Sequence, residues 1–123
     1  MVLIVLADQF LKYVSLKKNL PDWEIFLNTV CNPNLSLSLA LNPVFFWFSW
    51  FLALIFLLFL IYKFKNFFLL LVLAGTLSNL IDRLTFGCVI DYISILNFPI
   101  FNLADFFISF GFVGFILFSN FKK

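Results

Sequence analysis

The sequence predicts an α-helical integral membrane protein in which a bundle of transmembrane helices carries a small β-sheet at one membrane face. Three observations lead there. Of 123 residues 64% are hydrophobic and 11% charged, with mean hydropathy +1.13, more apolar side chain than a soluble domain of this length can bury. Val44 to Tyr62 is a run of nineteen residues without a charge, enough at about 1.5 Å per residue to cross a hydrocarbon core of about 30 Å. Four of the six acidic residues, Asp8, Asp82, Asp91 and Asp105, lie within or beside apolar segments, where a charge is costly unless it is paired or functional.

The elements follow in order. MVLIVLA supplies only seven apolar residues before Asp8, too few to span a bilayer, and it lacks the basic n-region and cleavage site of a secretory signal. It is read as the later part of a first transmembrane helix, the alternative being a short interfacial helix. The Val44–Tyr62 span ends in KFKN, a tight link, and Phe67 to Ile81 runs back across the membrane, setting Asp82 and Arg83 at the opposite surface. A further span starts near Asn102 and continues through FFISFGFVGFILF to Lys122 and Lys123. The segments 17–42 and 84–101 mix polar and apolar residues with turn signals, and WEIFLNTV and CVIDYISIL have the β-branched and aromatic content of short strands. With no internal repeat or low-complexity linker, residues 1–123 read as a single domain.

Composition also excludes chemistry. There is no histidine, which removes Ser-His-Asp and Cys-His pairs, the HExxH pattern and most zinc sites, so neither a metal nor a cofactor is expected. Net charge is +2 with scattered lysines, so no nucleic-acid partner is expected. Cys31 and Cys88 read as two unpaired small hydrophobes, with a disulfide between them left open. Lysine and arginine counts tie at four on each face: Lys63, Lys65, Lys122 and Lys123 against Lys12, Lys17, Lys18 and Arg83. If Lys12 and Arg83 serve a site, the KFK face is cytoplasmic.

On this topology Asp8, Asp82, Asp91 and Asp105 all fall at the outer face. Two carboxylates brought together where water is scarce share a proton, one acting as base toward a water and the other donating to a carbonyl. Spacing does not decide which two pair. Each residue also has a plainer reading: Asp8 and Lys12 an i,i+4 ion pair, Asp82 and Arg83 a neutralised pair or a clasp with Asn79, Asn102 and Asp105 a capping box, and Asn32 a turn residue beside Pro33.

The blocks DQFLK (Asp8–Lys12), NLIDR (Asn79–Arg83), GCVIDY (Gly87–Tyr92) and FNLAD (Phe101–Asp105) together resemble, in order and spacing, the signature blocks of the lipoprotein signal peptidases, or signal peptidases II. The resemblance covers nearly the whole chain. It implies a four-helix transmembrane bundle, with the first helix truncated here, and a small periplasmic β-cradle in the bacterial inner membrane. It implies cleavage of prolipoprotein signal peptides just before a diacylglyceryl-modified cysteine, with membrane lipids as surroundings. By the same resemblance the aspartyl dyad falls on Asp91 and Asp105, and the supporting or substrate-binding residues on Asp8, Lys12, Asn32, Asn79, Asp82, Arg83 and Asn102. Departures from the family pattern stand at Asn34, Leu35 and Ser36, where glycine and small residues are usual, and at Ser78, in place of a common glycine. Two other functions compete: a small proton-coupled transporter subunit, which would place its acids at mid-membrane depth, and a non-catalytic relative that binds lipidated peptides.

Overall fold

The computed structural model describes residues 1–17, 29–33, 42–95 and 97–119. Four helices and two short strands follow in the order α1 (Val2–Leu16), β1 (Val30–Asn32), α2 (Pro43–Phe64), α3 (Phe67–Phe86), β2 (Val89–Asp91) and α4 (Leu103–Phe118). Of these, α2 and α3 are long and apolar enough to cross a membrane, and α4 is a shorter apolar helix.

Local chemistry sets the helix ends. Pro43 opens α2 at a position where its missing N–H costs nothing, and the Asn42 side chain accepts from Val44 N at 2.9 Å. At the other end Lys65 turns left-handed (φ 48°) and Asn66 immediately caps α3, its Oδ1 accepting from Phe68 N at 2.8 Å. The KFKN link therefore stops one helix and starts the next within two residues. The chain continues helically past Ile81, where the uncharged run ends, to Phe86, and stops at Gly87 (φ 72°). The left-handed region is open to glycine without the penalty a Cβ would carry. Asp82 and Arg83 are accordingly inside a helix, one turn short of its end, where the run length had put them at its surface terminus.

α3 and α4 make the most extensive helix pair, built on small residues. A Cβ at Gly111 would lie 2.6 Å from the Phe68 carbonyl oxygen and 2.7 Å from Val72 Cγ2, and one at Gly75 would lie 2.5 Å from the Ala104 carbonyl oxygen. Such contacts let two backbones approach where no hydrophobic effect drives helices together in lipid. Gly111→Ala is expected to cost about 1–3 kcal/mol by overpacking, read as a lower melting temperature in detergent; an unchanged melt would show that the helices separate freely. Leu57, Leu69, Val72 and Phe115 form the buried apolar cluster between α2, α3 and α4, whereas most of α2 presents exposed Phe, Leu and Ile side chains, as lipid contact requires.

β1 and β2 pair antiparallel with Val30 opposite Asp91, Cys31 opposite Ile90 and Asn32 opposite Val89, and an isolated bridge joins Ile93 to Phe101. The second strand falls inside CVIDYISIL as expected. The first begins only at the last residue of WEIFLNTV; Trp23–Asn28 of that segment, like Asn34, Leu35, Ser36, Lys18, Lys122 and Lys123, lie outside the described residues. Cys31 and Cys88 are not unpaired: they form a disulfide with Cα atoms 5.5 Å apart. The pairing register explains it, since Cys31 faces Ile90 and Cys88, two residues from Ile90, lies on the same side of the ladder. Their separation of 57 residues concealed that proximity.

Candidate active site

The site grows from one buried lysine. Lys12, one turn after Asp8 on α1, is 2% exposed, and Asp8 and Asp82 are fully buried. The Lys12 Nζ lies 2.6 Å from Asp8 Oδ2 and 2.8 Å from Asp82 Oδ2, and donates to Asn79 Oδ1 at 3.1 Å. The plain i,i+4 pair is therefore present, but it is half of a three-membered cluster joining α1 to α3. Asp82 is neutralised by Lys12, not by its neighbour Arg83.

A buried cluster of two carboxylates and one ammonium keeps an excess negative charge, which must be met by hydrogen-bond donors. They are supplied from four elements. Ser78 Oγ donates to Asp8 Oδ2 at 2.6 Å; the Tyr92 hydroxyl, at 2.9 Å, and Ala104 N, at 3.2 Å, donate to Asp8 Oδ1. Gln9 Nε2 donates to Asp82 Oδ1 at 2.9 Å and Ile90 N to Asp82 Oδ2 at 3.0 Å. Among the described residues no buried side-chain nitrogen or oxygen is left without a partner.

This wiring orients the next layer. Asn79 Oδ1 accepts from Lys12 and, at 3.0 Å, from Asn102 Nδ2, so the Asn79 amide nitrogen must face the other way, where it donates to Asp105 Oδ1 at 3.0 Å. Asn102 caps α4: its Oδ1 accepts from Asp105 N at 2.8 Å, and its own N donates back to Asp105 Oδ2 at 3.3 Å. Its amide nitrogen is thereby free to donate to Asp91 Oδ1 at 2.9 Å. The capping box and the carboxylate pair are thus one structure, because the cap that sets Asp105 also holds Asp91. Asn32 completes the set, its Nδ2 donating to Asp91 Oδ2 at 3.4 Å.

Asp91 and Asp105 open onto a cleft of about 690 Å³ whose lining includes Asn32, Asn79, Arg83, Trp50, Phe98 and Ile108. The Arg83 guanidinium lies over the Phe46 ring, 5.3 Å from its centroid, which positions a cation at the polar end of a largely apolar pocket. Burial, followed by the nearby charge of Asp105, pushes the Asp91 carboxyl up from 3.8 to about 7. A raised carboxylate pKa means that the folded chain holds a proton which the unfolded chain has released. Stability is therefore expected to fall as pH rises from about 4 to about 7 and to level off above. Asp91→Asn removes this dependence, so its melting temperature should gain on the parent across that window; parallel curves from pH 4 to 8 would refute it.

Over residues 1–121 the chain matches the family model described as signal peptidase (SPase) II. The chain belongs to the signal peptidase II family. It is 38% identical over 135 aligned residues to a lipoprotein signal peptidase of Thermodesulfovibrio yellowstonii, covering 98% of this chain and 91% of that protein. A shorter stretch of 43 residues is 56% identical to the lipoprotein signal peptidase of Moorella thermoacetica, covering 35% of this chain and 29% of that one. Two solved structures described as bacterial membrane enzymes superpose with TM-scores of 0.79 and 0.78, at 28% and 26% identity. They align with 99% of this chain and 88% and 90% of theirs.

All nine residues singled out from the sequence of this signal peptidase II family member meet in the one network or its cleft: Asp8, Lys12, Asn79, Asp82 and Asn102 inside, Asp91, Asp105, Asn32 and Arg83 on the wall. Sequence reasoning missed Gln9 and Tyr92, both of which sit inside the quoted DQFLK and GCVIDY blocks, as well as Trp50 within the α2 span. The sequence did mark Ser78 as a departure from the family pattern, but not its use: its hydroxyl binds Asp8, contact that a glycine could not make. A polar residue directly beside an intramembrane acid was the available signal for Gln9; an uncharged phenol in an aromatic-rich chain gave none for Tyr92.

Proposed function

We propose that the chain is an aspartic endopeptidase that removes signal peptides from diacylglyceryl-modified prolipoproteins, cutting just before the lipidated cysteine. The observation that carries the aspartic mechanism is the shared asparagine: Asn102 binds Asp91 and caps Asp105 at once, so the two carboxyls are presented to one cleft. Asp91, raised to about 7, holds the shared proton and donates it to the scissile carbonyl. Asp105, whose two oxygens accept from Asn79 and from Asn102 N, takes a proton from the attacking water. In the tetrahedral intermediate the new C–O bond is formed, and protonation of the leaving amine then breaks the C–N bond. Asn32 on the strand edge and Arg83 above the apolar cleft are placed to bind the peptide backbone and its carbonyls, with the acyl chains and signal helix in the apolar part.

The site faces the periplasmic side of the bacterial inner membrane on this reading, with four helices spanning and the small sheet as a cradle. Two observations support it. Lys12 is consumed by an internal ion pair and so is not a sorting charge, which leaves Lys63 and Lys65 at the α2–α3 link to mark the cytoplasmic face. The Cys31–Cys88 disulfide belongs to an oxidising compartment. The proton-coupled transporter is not favoured, since Asp91 and Asp105 open together onto a cleft beside the sheet, and the binding-only relative is not favoured, since both carboxyls are retained there. The test is incubation of the purified protein in detergent or lipid with a diacylglyceryl-modified prolipoprotein peptide and an unlipidated control. Cleavage before the lipidated cysteine alone is expected; binding without cleavage would sink the peptidase reading.

A further inference from the structure

β1 is three residues long, and a two-stranded ladder of that length is marginal by itself. Yet it delivers Asn32 to Asp91 and, with Val30, Cys31 and Pro33, forms one wall of the cleft. The covalent tie is the disulfide from Cys31, next to Asn32, to Cys88, which is 2% exposed and directly follows the left-handed Gly87 that ends α3. α3 is the helix that carries Asn79, Asp82 and Arg83. The bond thus pins a short strand to the end of the helix that carries the ion cluster, closing a loop of 57 residues and so restricting the unfolded chain. Cys31 is solvent-exposed, whereas Cys88 is buried.

We propose that the Cys31–Cys88 disulfide is a positioning element of the cleft, holding the β1 wall and Asn32 against Asp91, and that substrate binding by this protein is consequently redox-dependent. The proposal rests on the peptidase reading above. A phosphine reduces the bond with water, the phosphorus becoming the oxide and each sulfur leaving as a thiol, a balanced two-electron step. With the wall released, KM rises. Loss of the Asn32 amide also removes a donor that favours the Asp91 carboxylate, so the alkaline limb of the pH–rate profile moves to higher pH. A merely structural cross-link would lower the melting temperature but leave KM and the pH limb of the folded fraction unchanged.

The experiment compares oxidised protein, phosphine-treated protein and oxidised Asn32→Ala on a diacylglyceryl-modified prolipoprotein peptide, with melting recorded for each. Expected are a KM increase of about tenfold on reduction, an upward shift of the alkaline limb, and an Asn32→Ala protein that already shows the limb shift and gains no more of it on reduction. Folded reduced protein with unchanged KM and pH profile overturns the proposal. If the reduced protein unfolds, the bond is a structural cross-link and the proposal is overturned; an unshifted limb in oxidised Asn32→Ala overturns it as well, because Asn32 then does not act on Asp91. If the oxidised parent cleaves nothing, it is the peptidase reading that fails, and the loss is visible before any reductant is added.

Discussion

Replacing Asp91 or Asp105 by asparagine is expected to lower kcat for prolipoprotein cleavage by about a thousandfold or more while leaving the protein folded and able to bind the lipopeptide. The size follows from removing a group that acts in the transition state, as losses of that order accompany deletion of one member of a cooperating pair in other peptidases. The fold survives because asparagine keeps an oxygen for the strongest contact at each position. Asp91→Asn can still accept from Asn102 Nδ2. Asp105→Asn can still accept from one of its two donors, Asn79 Nδ2 or Asn102 N, while the Asn102 cap on residue 105 N is untouched. The double variant should lose little more than either single one, since the two carboxyls work as a unit. Kinetics on purified variants decide the matter, with melting and lipopeptide binding as controls. Residual activity within tenfold of the parent in either variant would remove that aspartate from the chemistry.

The second large effect is on folding. Lys12→Met leaves the Asp8 and Asp82 carboxylates facing one another without their shared cation, and breaking a buried pair in this way costs about 3–5 kcal/mol. Asn79 also loses one of the two donors that set its amide orientation, so the side chain that should point at Asp105 is freer to turn. A fall in melting temperature of about 10 °C or more is expected, together with loss of cleavage. Adding Asp82→Asn to Lys12→Met removes one of the stranded charges and should recover part of the stability, but not the activity. A Lys12→Met protein that melts with the parent would mean that the cluster contributes nothing to the fold.

The two experiments probe different depths of one arrangement. Asp91 and Asp105 face the cleft; Lys12 lies behind them and is joined to Asp105 by hydrogen bonds through Asn79. If both expectations hold, the buried ion cluster is the support on which the carboxylate pair is oriented.

Much of this protein follows from its sequence. The membrane class and the α2 span come from long uncharged runs, because in lipid a backbone must satisfy its own hydrogen bonds and nineteen apolar residues leave only a helix. The candidate acids were legible for the same reason: in so oily a chain every charge stands out. The Asn102 cap was readable as local chemistry, since a cap depends on neighbours a few positions away; the caps at Asn42 and Asn66 came only with the structure.

Tertiary structure alone decided the partners. Sequence left Asp82 a choice between Arg83 and Asn79; packing of α1 on α3 gave it Lys12. The disulfide, the registry of Asn32 on Asp91, and the use of Gln9, Ser78 and Tyr92 as donors depend on groups from 57 to 84 residues apart meeting in space. The physical reason is that a hydrogen bond or an ion pair is a matter of a few ångströms and of direction, whereas hydropathy is a property of a segment. A run of apolar residues announces a helix wherever it lies, but which polar side chain compensates a buried charge is settled only when the helices have packed.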